Sequence, residues 1–223
     1  MCPIGDMLKT MMVPIHREGY GMVTMLTIIV SLLSVIFPRI CFPAVAVVVL
    51  CLYFFRDPDR VTPDDPEVIL APADGRVDKI EIANPPEELE LGSSGEWTRI
   101  SIFLSIFNVH VQRVPFGGKI VKLLYRDGAF LNIYSDKNSK DNERQCCVLE
   151  TKEGLRIPFV QIAGLIARRI VCNLTVGQEV TRGDRYGIIR FGSRVDLYLP
   201  KEIKVCVKVG QTMIAGESVI ARI

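Results

Sequence analysis

Two apolar runs near the N-terminus constrain this chain more than any other feature. Residues 22–37 (MVTMLTIIVSLLSVIF) and 40–55 (ICFPAVAVVVLCLYFF) carry no charge, and only Pro38-Arg39 parts them. As helix each run would be about 24 Å long, against a hydrocarbon core of about 30 Å. Two short spans in a thinned bilayer fit that length, and so does a hairpin that dips in and returns. A buried helical hairpin in a soluble core is the alternative. A cleaved signal peptide is disfavoured, because residues 1–21 precede the block and no small-x-small site follows it. A hairpin keeps both ends on one side. Lys9 and Arg17 before it, and Arg56 and Arg60 after it, make that side the cytoplasmic face of the cell (inner) membrane. The expected organisation is a tail over 1–21, a membrane-associated hydrophobic hairpin over 22–55 and a β domain over 56–223.

From residue 56 the character changes. Prolines 58, 63, 66 and 72, with acidic residues between them, make an extended connector. Short β-branched runs then alternate with turn signals, among them VIL (68–70), RVDKIEI (76–82), RISIFLSI (99–106), RIPFVQIA (156–163) and RVDLYLP (194–200). This spacing predicts a mainly β fold, a compact barrel or sandwich. VGQEVTRGD (176–184) and VGQTMIAGE (209–217) repeat one pattern 33 residues apart, as in the duplicated hairpins of lipoyl- and biotinyl-carrier-like barrels. The segment QIAGLIARR (161–169) is a candidate helical turn.

Composition removes several chemistries. With 27 basic against 25 acidic residues, the charge is too balanced for a nucleic-acid partner. Seven cysteines without CxxC spacing, and only His16 and His110, assemble no zinc-type cluster, so no metal is expected. Reduced, mostly buried thiols are the default.

Three polar residues stand out. In RFGSRVDLYLP (190–200), Phe191, Val195, Leu197 and Leu199 alternate as in a half-buried strand, with Gly192-Ser193 at its head. A glycine there marks a bulge, or a place where something must approach the backbone. Ser193 lacks the G-x-S-x-G elbow of a serine hydrolase. Its hydroxyl can instead attack the preceding Gly192 carbonyl, which no Cβ obstructs. His110 lies in FLSIFNVHVQRVP (103–115), where Asn108, His110 and Gln112 would share one strand face. It is either a structural strand histidine or a proton carrier. Asp74, in LAPADGRV (70–77), is either a turn aspartate or a carboxylate that orients an imidazole.

Taken together, FFRDPDRVTP (54–63), APADG (71–75), FNVHVQRVP (107–115), GAFLN with DNER (128–132 and 141–144) and FGSRVDLYLP (191–200) resemble phosphatidylserine decarboxylase in its short form. APADG and DNER alone are weak patterns; jointly with Gly-Ser in a strand near the C-terminus they are specific. The resemblance implies a pyruvoyl-dependent carboxy-lyase made as a zymogen that cuts itself between Gly192 and Ser193. The serine would become an N-terminal pyruvoyl group, which forms a Schiff base with the substrate amine and serves as electron sink for CO₂ loss. Residues 1–192 (β chain) and 193–223 (α chain) would stay together as a heterodimer, with further oligomers open. Asp74 and His110 would activate Ser193. The substrate would be phosphatidylserine in the bilayer, giving phosphatidylethanolamine, or an archaeal ether-linked serine lipid handled the same way.

The chain departs from the family pattern at two positions. Where some members carry H-x-x-H before the Val/Met-Pro dipeptide, His110 fills the first position and Arg113 the second. Arg194 stands where others have threonine or serine. Both arginines are candidate substrate-binding residues, with an oxyanion or the lipid phosphate as Arg113's target. A membrane-anchored histidine phosphocarrier-like β module, read from APADGRV, VGQEVTRGD and NVHV, is the rival of a different class.

Overall fold

The computed structural model describes residues 13–91, 96–128, 141–164, 169–190 and 193–223. The chain divides into two units between Asp59 and Arg60. In the first, α1 (Arg17–Ile36) is followed by a 3₁₀ turn at Pro38–Ile40 and by α2 (Cys41–Phe54). The break falls where Pro38-Arg39 predicts it. α1 begins five residues before the apolar run, because His16 caps it by accepting from the Glu18 N–H at 3.3 Å. The two ends meet: the His16 N–H donates to the Phe55 carbonyl at 2.8 Å, and the Asp57 N–H to that of Pro14 at 2.7 Å. At 20 residues α1 is long and apolar enough to cross a membrane; α2, at 14, is shorter.

The second unit is built of fourteen strands among the described residues. They are β1 (Val68–Leu70), β2 (Gly75–Ile82), β3 (Trp97–Leu104), β4 (Val111–Arg113), β5 (Gly118–Arg126), β6 (Arg144–Glu150) and β7 (Arg156–Ala163), then β8 (Arg169–Cys172), β9 (Glu179–Val180), β10 (Arg185–Arg190), β11 (Ser193–Pro200), β12 (Lys204–Val205), β13 (Thr212–Met213) and β14 (Val219–Arg222). The mainly β fold expected from the strand spacing is present. The candidate helical turn QIAGLIARR (161–169) is corrected at its ends, where residues 161–163 close β7 and Arg169 opens β8, while residues 165–168 lie outside the described residues.

The sheet orders are symmetric. One eight-stranded sheet runs β13-β2-β3-β11-β7-β6-β5-β9, and two three-stranded sheets run β1-β14-β12 and β4-β10-β8. Exchanging β1, β2, β3, β11, β12, β13 and β14 with β4, β5, β6, β7, β8, β9 and β10 maps each order onto itself or its mate. The duplication seen in the two VGQ segments therefore runs through the whole β unit. One half is inserted into the other, between β3 and β11. It also reveals a second repeat, APADGRVDKI (71–80) against VPFGGKIVKL (114–123).

Backbone bonds obey the same symmetry. The Leu70 N–H donates to the Pro115 carbonyl and the Arg113 N–H to that of Pro72, both at 2.9 Å. Both VGQ turns place glycine in the left-handed region, Gly177 at φ 90° and Gly210 at φ 91°. Both β2 and β5 start on a glycine crowded by a neighbouring strand. A Cβ on Gly75 would lie 2.2 Å from the Phe103 carbonyl oxygen, and one on Gly118 2.4 Å from that of Glu150.

β11 lies at the centre, between β3 and β7. Its pairs run from Ser193–Leu104 to Pro200–Trp97 on one side, and from Ser193–Ala163 to Leu197–Phe159 on the other. Val195, Leu197 and Leu199 enter the main core, each contributing about 1.5–3 kcal/mol by burial. The sequence predicts a half-buried strand, but the opposite face is buried too. Tyr198 packs there with Leu89, Cys146, Val148, Val160 and Ile162. Arg194 and Asp196, each about 1% exposed, pair on that face with Nε to Oδ1 at 2.9 Å and Nη2 to Oδ2 at 2.9 Å. The polar alternation is thus a buried ion pair rather than a solvated face.

Gly118→Ala is expected to cost about 2 kcal/mol or more, because the Glu150 strand must move. Gly177→Ala meets no atom within 4 Å and pays only the left-handed backbone, about 1–2 kcal/mol. Urea melts of the two variants check the order.

Candidate functional site

The register of the large sheet gathers the sequence candidates at one end. Arg76, Phe103 and Arg194 lie side by side across β2, β3 and β11. One step further along come Gly75, Leu104 and Ser193, so the Asp74-Gly75 turn and Ser193 flank the same end of β3. Ser193 is fully buried, and its hydroxyl has no hydrogen-bond partner among the described residues. A buried polar atom without a partner is costly and calls for an explanation. Phe191 and Gly192 lie outside the described residues.

Asp74 is 8% exposed and tightly held. Arg60 donates from Nη2 to both carboxylate oxygens, at 3.1 and 2.9 Å, and the Ala215 N–H donates to Oδ1 at 2.8 Å. Gly75 allows this turn, because no side chain fits against the Phe103 carbonyl. Arg60 was read from sequence as one of the cytoplasmic-side charges; the structure makes it the carboxylate's partner.

His110 is fully buried, and its Nδ1 lies 2.9 Å from the Asn108 carbonyl oxygen. The expectation that Asn108, His110 and Gln112 share a strand face is corrected. Asn108 belongs to a turn, where its Oδ1 accepts from the Ser105 N–H at 2.9 Å and the Ser105 hydroxyl at 2.7 Å, and β4 begins only at Val111.

Register still puts His110 at the Ser193 end. In β10, Gly187 pairs with Gln112. The Gln112 Oε1 accepts from Gln161 of β7 at 3.0 Å, and a Cβ on Gly187 would come within 3.0 Å of that Gln161 nitrogen. From Gly187, β10 runs toward Ser193, whose β7 partner Ala163 lies two residues beyond Gln161. β4 runs antiparallel to β10, so His110, two residues before Gln112, lies toward that end.

The DNER element supports the same place. Asn142 donates from Nδ2 to the Ala163 carbonyl at 2.9 Å, and the Glu143 carbonyl accepts from the Ala163 N–H at 3.0 Å. Glu143 Oε1 also accepts from the Ile170 N–H at 3.2 Å. Both side chains are buried. They hold the β7 residue opposite Ser193. Of GAFLN, residues 129–132 lie outside the described residues.

The two arginines are placed elsewhere. Arg194 points to the face opposite Ser193, where Asp196 engages its guanidinium. Arg113 is buried at the symmetry axis and donates from Nη1 to the Gly183 carbonyl at 2.9 Å; its Cδ lies 2.8 Å from where a Cβ on Gly216 would be. It thus bridges the corresponding glycines of the two VGQ segments. Gln161, Asn142 and Arg60 were not singled out from sequence. A glutamine inside the apolar run RIPFVQIA was the one signal for Gln161; Arg60 carried none that tied it to Asp74.

Symmetry does not duplicate the site. The counterparts of Asp74 and His110 in the repeat are Gly117 and Glu67, and register equates Ser193 with Leu155. Among the described residues no three His, Cys, Asp or Glu side chains cluster to hold a metal. His110, fully buried, lacks the exposed imidazole that a phosphocarrier presents to its partner.

Comparison with known proteins points to one family. The family model described as phosphatidylserine decarboxylase matches residues 48–221. A phosphatidylserine decarboxylase proenzyme from Rickettsia akari (strain Hartford) is 51% identical over 207 residues, covering 93% of this chain and 89% of that protein. Proteins of the same name from Rickettsia africae (strain ESF-5) and Rickettsia conorii (strain ATCC VR-613 / Malish 7) are each 51% identical over 208 residues, with the same shares covered. With the matched region spanning the Asp74 turn, His110 and the Ser193 strand, the chain belongs to the phosphatidylserine decarboxylase family.

Proposed function

We propose that this chain is a precursor that cleaves itself at Gly192-Ser193 and then decarboxylates phosphatidylserine to phosphatidylethanolamine. The observation that carries this reading is the buried Ser193 hydroxyl, without a hydrogen-bond partner among the described residues, at the head of the central strand and at the same end as Asp74 and His110. The Ser193 Oγ attacks the Gly192 carbonyl carbon, and the peptide bond is exchanged for an ester. Loss of the Ser193 α-proton expels the Gly192 carboxylate and leaves dehydroalanine, which water converts to pyruvoyl and ammonia.

His110 is the proton carrier in this reading, accepting the hydroxyl proton and delivering it to the leaving nitrogen. Asp74, held by Arg60 and the Ala215 N–H, acts as a fixed negative charge that favours the imidazolium. Ala215 belongs to the 193–223 piece, so this bond also ties the two fragments together. The same holds for the pairing of β11 with β3 and β7, of β13 with β2 and of β14 with β1. A piece of 31 residues could not bury a core by itself.

The residues fit a pyruvoyl group: the hydroxyl that would give rise to it is buried, and the site that receives it is apolar around Leu104 and Ala163. Once formed, that group supplies an electrophilic carbonyl conjugated to an amide, able to take up the electron pair released with CO₂. In this reading His110 also returns a proton to the product carbon. Arg113 and Arg194 serve the site through their neighbours, Arg113 by joining the two turns and Arg194 by anchoring β11. The apolar helix pair holds the enzyme at the cytoplasmic face of the membrane that contains its lipid substrate.

Intact mass and gel analysis test the cleavage. The wild type should yield a fragment of about 3.5 kDa, by its share of 25.0 kDa, with a blocked N-terminus. Ser193→Ala should remain one polypeptide and release no CO₂ from vesicles of phosphatidylserine. An uncleaved wild type that still decarboxylates the lipid would sink the reading.

His110→Asn is expected to slow self-cleavage by roughly 10²–10⁴-fold. Arg60→Met, which removes two charge-assisted bonds from Asp74, should slow it by roughly tenfold or more, with Arg60→Lys in between. Time courses of precursor disappearance read both effects. Equal rates for the Lys and Met variants would argue against the clamp.

A further inference from the structure

Two cysteines that the proposed chemistry does not use face each other. Cys147 of β6 and Cys172 of β8 bring their sulfurs to 4.0 Å. Cys147 is fully buried in the main core, while Cys172 is partly exposed. The neighbouring Cys146 projects to the other face of the sheet, among Val148, Val160 and Tyr198, and takes no part. Among the described residues no third His, Cys, Asp or Glu joins the two sulfurs, which disfavours a zinc-type site.

We propose that Cys147 and Cys172 form a redox-sensitive dithiol that closes to a disulfide when the protein meets a peroxide. Burial pushes the Cys147 thiol up, whereas the hydrogen bond from Cys147 lowers that of Cys172. Cys172, the more accessible sulfur, is therefore the one oxidised first. Its thiolate attacks hydrogen peroxide, the O–O bond breaks, and sulfenic acid and hydroxide form. The Cys147 sulfur then displaces the sulfenic oxygen as water, after giving up its proton. Two thiols and one peroxide become a disulfide and two waters.

The backbone permits the closure. A disulfide needs sulfurs about 2.05 Å apart, so they must approach by about 2 Å. β6 is fixed between β5 and β7, but β8 lies at the edge of its sheet, paired with β10 alone and held besides by the Glu143–Ile170 bond. Side-chain rotation at Cys172, with a small shift of that edge, can supply the movement.

Closure would also reach the functional end. Cys172 pairs with Gly187, which pairs with Gln112. The crosslink ties the sheet that carries β4 to β6 of the large sheet, beside the Gln112–Gln161 bond. Oxidation is thus expected to stiffen the support of His110 and to raise the melting temperature by a few degrees.

The test uses the full-length protein as isolated, treated with stoichiometric hydrogen peroxide, denatured in N-ethylmaleimide and read by intact and peptide mass. The expected result is two fewer alkylated thiols and a 147–172 crosslinked peptide, both reversed by dithiothreitol. Cys172→Ala and Cys147→Ala should each abolish the crosslink, and Cys41→Ser with Cys206→Ser should leave it. Retained self-cleavage shows that each variant folds. Should Cys147→Ala misfold, the partly exposed Cys172 still decides the matter through its own variant. Sulfinic acid at Cys172 without the crosslink, or a peroxide-driven loss of two alkylatable thiols that persists in Cys172→Ala, overturns the proposal.

Discussion

The pairing of β11 between β3 and β7 is the contact on which the rest depends. It is the seam of the large sheet, and both faces of the strand are covered. Val195, Leu197 and Leu199 fill the main core, while Arg194, Asp196 and Tyr198 fill the second layer. Neither member of the Arg194–Asp196 pair can be removed without stranding a buried charge, a loss of about 3–5 kcal/mol. Arg99 lies nearby, its Nη1 3.9 Å from Asp196 Oδ2, and also pairs with Glu81 of β2. The strand that begins at Ser193 is therefore held on both edges and both faces. That suits the proposed cleavage, in which the flanks of the cut bond stay in place.

Around this seam the β unit repeats itself, yet the candidate residues sit at one end only. The fold supplies two similar ends, each with a glycine pressed against a neighbouring carbonyl at the start of a long strand. Only one has an aspartate before that glycine, and only one has a serine at the head of the adjoining strand. Gly117 and Leu155 take those positions at the other end. Arg113, at the axis, reaches turns from both halves and joins them, a structural task that explains a buried arginine next to the histidine.

Much of the fold was legible in the sequence. The break at Pro38-Arg39 and the bounds of VIL (68–70) and RIPFVQIA (156–163) were readable because proline, glycine and β-branched runs act locally. β9 and β13, two residues each, were not, since a bridge so short has no periodicity of its own. Asn108 was misplaced because polar alternation over three positions also fits a turn followed by a short strand. Ser193, Asp74 and His110 could be singled out from residue type and family pattern. Arg60 and Gln161 could not, because their partners Asp74 and Gln112 are remote in sequence and say nothing of them locally.

By itself the sequence determined the apolar helix pair, the mainly β character, the duplicated turns and the residues able to do chemistry. These follow from local rules of hydrophobic period, turn geometry and side-chain reactivity. Only the tertiary structure decided that one half is inserted into the other and that Asp74 and Ser193 flank the same strand end. It also decided that Arg194 turns away from the serine, while two cysteines 25 residues apart meet. Those outcomes depend on strand register across distant segments. Register is set by which faces the whole sheet can bury, not by any one segment's own pattern.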